Sequence, residues 1–194
     1  MKKVTISTLL FLVAIFTTNV FAYSIIFTHE GSGAGSLDGA VFAVSDFRIT
    51  ALGDTDDRQS FGSNAYFIVH LSASITIDGL GSYNFISPTA TFINDASDLV
   101  GLTRTGASYL DLLHGPIDAA FDGWDMLTSI GPISGTGYLL QWLSPAVNTS
   151  GGILIFDNAT SPVTFQASVV PEPSTFILLG AGLAGLAAWR RKRS

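Results

Sequence analysis

Between Phe67 and Ile77 every odd position is apolar (Phe67, Val69, Leu71, Ala73, Ile75, Ile77), and His70, Ser72, Ser74, Thr76 and Asp78 alternate with them. Period two over such a length predicts a half-buried β-strand or a pair of strands, because successive side chains of a strand point to opposite faces. Val163, Phe165, Ala167 and Val169 alternate with Thr164, Gln166 and Ser168 in the same way, and Val41 to Thr50 turns from apolar to alternating at Ser45. Tyr138 to Leu143 and Ile153 to Phe156 are short apolar strands, with turn residues between them and again from Asp157 to Pro162. That spacing predicts a three-stranded antiparallel meander at the end of the region. One helical pattern competes: Ile117, Ala120, Phe121 and Trp124 follow Pro116 at helical spacing, with Gly123 against it. The expectation for Tyr23 to Val170 is an all-β domain of seven to ten strands in two packed sheets, an antiparallel β-sandwich or jelly-roll-like body.

The two ends follow different patterns. Met1-Lys2-Lys3 is a short basic start, Leu9 to Phe16 is apolar, and Val20-Phe21-Ala22 closes a polar stretch. This is the layout of a signal peptide over residues 1–22, cut after Ala22 by a signal peptidase so that the mature chain begins at Tyr23. The apolar run is too short for an uncleaved span, which needs about 20 residues.

At the other end, residues 171–194 divide into Pro171-Glu172-Pro173, an uncharged run from Phe176 to Trp189, and Arg190-Arg191-Lys192-Arg193. The two prolines withhold N–H groups and fix their φ angles, so the motif is expected to be extended and open to a processing enzyme. Residues 176–189 as a helix span about 21 Å, a short transmembrane helix whose mismatch is met by bilayer thinning and by Trp189 at the headgroups. The arginines hold their end on the cytoplasmic side. No polar face interrupts the run, which argues against a soluble amphipathic helix.

In their order and position these three parts resemble the PEP-CTERM sorting signal, in which Pro171, Glu172 and Pro173 match the motif and Arg190 to Arg193 match the basic end. The Leu-Pro-x-Thr-Gly type motif of a sortase substrate is missing. The resemblance implies export across the inner membrane and transient anchoring by the C-terminal helix. It further implies processing by an exosortase-like membrane enzyme and delivery to the cell surface or extracellular space of a bacterium that makes exopolysaccharide.

Composition narrows what the body can do. Three arginines and no lysine stand against fourteen acidic residues between Tyr23 and Val170, a formal charge of −11. A surface of that sign repels nucleic acid, whose binding requires clustered Lys and Arg. Cysteine is absent, which excludes disulfides, thiol catalysis and thiolate metal sites.

Local chemistry is sparse. His29, His70 and His114 show no metal-ligand spacing to one another, and His70 falls on the polar face of its strand. Asp54, Asp56 and Asp57 form an oxygen-rich cluster, a weak calcium candidate that lacks the order of an EF-hand and reads rather as a solvated hairpin loop. Gly31 to Gly35 reads as a flexible turn. No Gly-x-Ser-x-Gly elbow occurs. Trp124, Trp142, Tyr138 and Tyr109 could stack on sugars if exposed, but aromatics on apolar strands belong more often to a core.

No catalytic residue and no cofactor is assigned. The leading expectation is a non-catalytic surface or extracellular-matrix protein associated with exopolysaccharide. The alternative is a secreted polysaccharide-active hydrolase with a carboxylate pair.

Overall fold

The computed structural model describes residues 23–106 and 109–170, with Gly180, Gly182, Leu183 and Gly185 beyond them. The expected signal peptide, the Pro171-Glu172-Pro173 motif, the basic residues Arg190 to Arg193 and most of the run 176–189 lie outside the described residues. Among the described residues no helix is long and apolar enough to cross a membrane.

The body is all-β and antiparallel. Its strands are β1 (Ser24–Leu37), β2 (Ala40–Asp54), β3 (Gln59–Gly62), β4 (Ala65–Val69), β5 (Ser72–Ile77), β6 (Gly81–Asn84) and β7 (Thr89–Asn94), followed by β8 (Leu99–Arg104), β9 (Leu110–Ile117), β10 (Ile130–Leu139), β11 (Val147–Thr149), β12 (Gly152–Phe156) and β13 (Ala159–Val170). Instead of two separate sheets, one hydrogen-bonded path runs β3-β4-β7-β8-β9-β10-β13-β1-β2-β5-β6, with β12 bridging β1 and β11. β10 is the reason. It pairs with β13 from Ile130 to Leu139 but with β9 only at Tyr138 and Leu139, so two halves that a sandwich would keep apart are joined by a short seam. Register shifts interrupt β1–β2, β8–β9 and β10–β13. Bulges of this kind sharpen strand twist, and the sheet curls around its apolar face as an open sheet.

The inner face holds two apolar clusters. One gathers Phe47, Ile49, Ile75, Leu113, Trp142, Leu154 and Phe156, the other Ile25, Phe27, Ile68, Ile93, Phe121, Trp124 and Phe165. Trp142 Nε1 donates to Leu112 O at 2.8 Å and Trp124 Nε1 to Thr128 O at 3.0 Å, so neither indole nitrogen is left unpaired by burial. Both tryptophans are core.

Several expectations need correction. The alternation from Phe67 to Ile77 belongs to two strands that do not pair with each other: β4 pairs with β3 and β7, β5 with β2 and β6. The chain breaks at His70 and Leu71, and there the faces exchange. β5 buries Ile75 and Ile77 in the main core, whereas β4 turns Ile68 inward and sends Phe67 to the outer cluster described below. An unbroken period two therefore hides a switch of sides.

The C-terminal meander is absent. Asp157 to Pro162 does not reverse the chain, because β12 and β13 run successively in one direction along the same edge of β1: Leu154 to Phe156 face Leu37 to Gly35, and Thr164 to Val170 face Glu30 to Ser24. Nor is Gly31 to Gly35 a turn; it lies within β1. A Cβ on Gly31 would stand 2.9 Å from Phe47 Cζ, and one on Gly33 2.6 Å from Leu139 Cδ1. These glycines give room to large side chains, and the reversal comes later, at Asp38-Gly39, where both φ angles are positive as a two-residue hairpin requires. The pattern from Ile117 to Trp124 gives one short 3₁₀ turn, Ala119–Phe121, capped by Asp118 Oδ1 on Ala120 N at 2.8 Å.

Candidate functional site

The curl leaves an outer face that differs at its two ends, and it encloses a polar cluster between them. The enclosed cluster contains two of the three histidines. His29 of β1 is fully buried, and its Nε2 lies 3.1 Å from Thr91 Oγ1. His70 turns inward from the end of β4, placing Nε2 3.0 Å from the same hydroxyl and Nδ1 2.8 Å from Thr89 Oγ1. The sequence placed it on a polar face; it instead continues the inward face of Ile68.

One proton arrangement pairs both imidazole N–H groups and the Thr91 hydroxyl in this chain. His70 Nδ1–H donates to Thr89, Thr91 donates to His70 Nε2, and His29 Nε2–H donates to Thr91. The buried atom left without a partner, His29 Nδ1, is then a bare acceptor and not a stranded N–H. Burial lowers both histidines to about 3, with the neighbouring His29 adding to the effect on His70. They are neutral structural links between β1, β4 and β7.

The aspartate cluster serves its own turn: Asp54 Oδ1 accepts from Asp56 N at 2.9 Å and caps the 3₁₀ turn Thr55–Asp57, while Asp56 and Asp57 are exposed. Among the described residues no group of three or more His, Cys, Asp or Glu side chains is arranged to hold a metal ion.

All three body arginines have internal partners. Arg48 pairs with Glu30 at 2.6 Å, Arg58 with Asp125 at 3.3 Å, and buried Arg104 donates Nη1 to Pro145 O. Burial lowers the Arg104 pKa from its ordinary value.

At the β13-β1-β2-β5-β6 end the outer face is a sheet of polar side chains in register. Ser134, Thr164, Glu30, Arg48, Thr76 and Ser82 are successive cross-strand partners on β10, β13, β1, β2, β5 and β6. They bond sideways in pairs, Ser134 to Thr164 at 2.8 Å and Thr76 to Ser82 at 2.7 Å. The adjacent row is Gln166, Thr28, Thr50, Ser74 and Asn84. An open trough of about 1050 Å³ runs along the first row from Ser134 to Thr76, with Asp46 and Asp78 also on its walls, and Thr50, Ser74 and Asn84 of the second row line a neighbouring hollow.

At the β3-β4-β7-β8-β9 end the outer face is apolar. Phe67, Ala90, Phe92 and Leu99 form a third cluster on the side opposite the main core. Above it Phe61, Phe67, Phe92, Tyr109, Asp111 and His114 help line a pocket of about 460 Å³. His114 Nε2 donates to Asp111 Oδ2 at 2.7 Å inside it. The sequence reading singled out His114 and Tyr109 separately, and it missed the phenylalanines because aromatic residues on strands read as core. The exposure of Phe61 and Tyr109, both above one half, distinguishes them.

Residues 169–193 match the family described as the PEP-CTERM protein-sorting motif. Neither the curated proteins nor the solved structures contain a match to the chain. The motif accounts for the C-terminal design and marks this chain as an exported protein targeted to an exosortase.

Proposed function

We propose that the body is a non-catalytic surface or extracellular-matrix protein that associates with exopolysaccharide after an exosortase has processed its tail. On this reading a signal peptidase removes residues 1–22, and residues 176–189 hold the exported chain in the inner membrane. The enzyme then acts near Pro171-Glu172-Pro173, and the body reaches the surface or the extracellular space. The observation that carries the matrix assignment is the pair of in-register polar rows, from Ser134 to Ser82 and from Gln166 to Asn84. Strands about 4.8 Å apart set hydroxyl, amide and carboxylate groups in a repeating array along an open trough and the hollow beside it, which suits the many weak hydrogen bonds that an extended neutral polysaccharide offers.

The alternative hydrolase calls for a carboxylate pair in a cleft beside exposed tryptophan. Of the fourteen acidic residues of the body none is buried, and Trp124 and Trp142 are in the core, which favours the binding role.

Replacing Pro171, Glu172 and Pro173 by alanine tests the sorting half in an exosortase-bearing host. The variant is expected to be exported yet to keep its tail and stay in the membrane fraction, while the wild type loses Phe176 to Ser194. Intact mass of the two forms reads the result, and normal processing of the variant refutes the assignment. Co-sedimentation with the host's exopolysaccharide tests the matrix half. Thr164→Val with Thr50→Val should reduce the bound fraction several-fold, and unchanged retention overturns the assignment of this face.

A further inference from the structure

The polar end is what an outer sheet face in water requires. The aromatic end departs from that requirement. Its rings form a chain of contacts, Tyr109 to Phe67 at 5.7 Å, Phe67 to Phe61 at 6.0 Å, Phe61 to Phe92 at 6.5 Å and Phe92 to His114 at 5.8 Å between centroids. The first and last members both come from the short segment 109–114, so the chain bends back on itself around the pocket, and Asp111 of the same segment also lines it.

Charge and the aromatic lining select the ligand. Among the described residues Asp111 is the one carboxylate in the lining and no lysine or arginine faces it, since the three body arginines are held by Glu30, Asp125 and the Pro145 carbonyl. The field of a body with formal charge −11 draws cations toward such an opening and turns anions away. A neutral sugar gains nothing from that field. Thr103 Oγ1 already donates to Arg104 O and Asp111 Oδ2 accepts from His114, which leaves Asn94, Asp111 Oδ1, Tyr109 Oη and His114 Nδ1 for hydrogen bonds. Aromatic rings grouped beside a carboxylate instead suit a cation with an apolar periphery, whose methyl or methylene groups shed water against the rings while its charge lies near their faces.

We propose that this pocket binds an organic ammonium cation, a quaternary ammonium or amine of small size, with Phe61, Phe67, Phe92 and Tyr109 around its alkyl groups and Asp111 as its counter-charge. This site is separate from the polar face assigned to polysaccharide, so either assignment can fail alone.

The test is calorimetric titration of the full chain with choline and with its neutral isostere 3,3-dimethylbutan-1-ol. Choline should bind with a dissociation constant on the order of 1 mM, and the isostere about tenfold more weakly, the scale of a cation held by rings and a carboxylate. Asp111→Asn, Phe61→Ala and Tyr109→Ala should each weaken choline about fivefold or more. Phe61 and Tyr109 are 53% and 60% exposed, so their removal leaves the core intact, and an unchanged circular dichroism spectrum verifies this. Equal affinity for choline and the isostere overturns the proposal, as does an Asp111→Asn protein that binds choline like the wild type. Binding of cellobiose in place of choline also overturns it and moves the pocket to the polysaccharide reading.

Discussion

The two ends of one curled sheet obey the same alternation and present opposite outer surfaces. In the middle of β1, β2, β5 and β13 polar Thr28, Glu30, Arg48, Thr50, Ser74, Thr76, Thr164 and Gln166 face outward, and Phe27, Ile49, Ile75 and Phe165 on the other face fill the core. On β7 and β8 both faces are covered: Thr89 to Ile93 and Leu99 to Arg104 are buried throughout, although the two strands occupy the same sheet. The difference shows that the sheet has one inner core but a second, smaller apolar layer outside one end. Such a layer must either be capped by its own side chains or offer a surface to a ligand. Phe61, reaching over from the edge strand β3, does the first incompletely, which is why a pocket remains.

The largest effect should come from removing the space on which that outer layer depends. Gly101 pairs with Phe92 on one side and His114 on the other, and a Cβ there would collide with the Phe92 ring and stand 2.5 Å from the Leu113 carbonyl oxygen. The backbone oxygen cannot step aside without breaking the β8–β9 ladder. Gly101→Val should therefore lower stability by roughly 3 kcal/mol or more, read as a fall in the urea midpoint. A variant at wild-type stability would mean that the aromatic end is loosely packed and that its contrast with the polar end is superficial.

Acid probes the link between the ends. His29 belongs to a strand of the polar end, while Thr89 and Thr91 belong to a strand of the aromatic end and His70 directly follows another, and Phe27 and Phe165 close around the imidazoles. Both folded pKa values are about 3, below the ordinary 6.5. As pH falls below 6.5 the unfolded chain takes up protons that the folded chain refuses, so the stabilisation is complete above about 6.5 and is lost progressively toward pH 3. Each histidine contributes a slope of up to roughly 1.4 kcal/mol per pH unit within that window. Denaturation midpoints measured from pH 7 to pH 4 should fall steeply. The slope should be about halved in His29→Gln, and an unchanged slope would remove the histidines from the account.

Legibility in the sequence followed the same division. β2 and β13 were readable because a polar face beside an apolar one fixes both strand and side. β7 and β8, covered on both faces, show no such contrast, and in β4 the apolar positions of the alternation pointed the wrong way. The long β1 was obscured by Gly31, Gly33 and Gly35, which resemble turn residues and are there because Phe47, the pair Leu139 and Phe156, and the Ile155 backbone carbonyl respectively leave no room for a Cβ. Pairing was less accessible still. That β12 and β13 share one edge of β1, and that β10 joins the halves through two residues, are consequences of packing at long range, and local pattern carries no trace of them. The sorting tail was legible for the opposite reason: its motif, apolar run and basic end are recognised by their order along the chain.

The smallest effect on stability is expected where the polar end is most visibly bonded. Arg48 and Glu30 meet at 2.6 Å, yet their side chains are 65% and 38% exposed, so water screens the pair and ordering two long side chains offsets part of the attraction. Arg48→Ala should change unfolding free energy by less than about 1 kcal/mol, and still less in 0.5 M salt. Removing the guanidinium also unpairs Glu30 and leaves its carboxylate to the trough, which should alter retention on polysaccharide while the fold stays intact. A loss above roughly 2 kcal/mol would instead show that the row from Ser134 to Ser82 acts as a clamp across the strands. The polar end would then be a second structural layer in its own right, and the two ends would differ in chemistry while sharing a role.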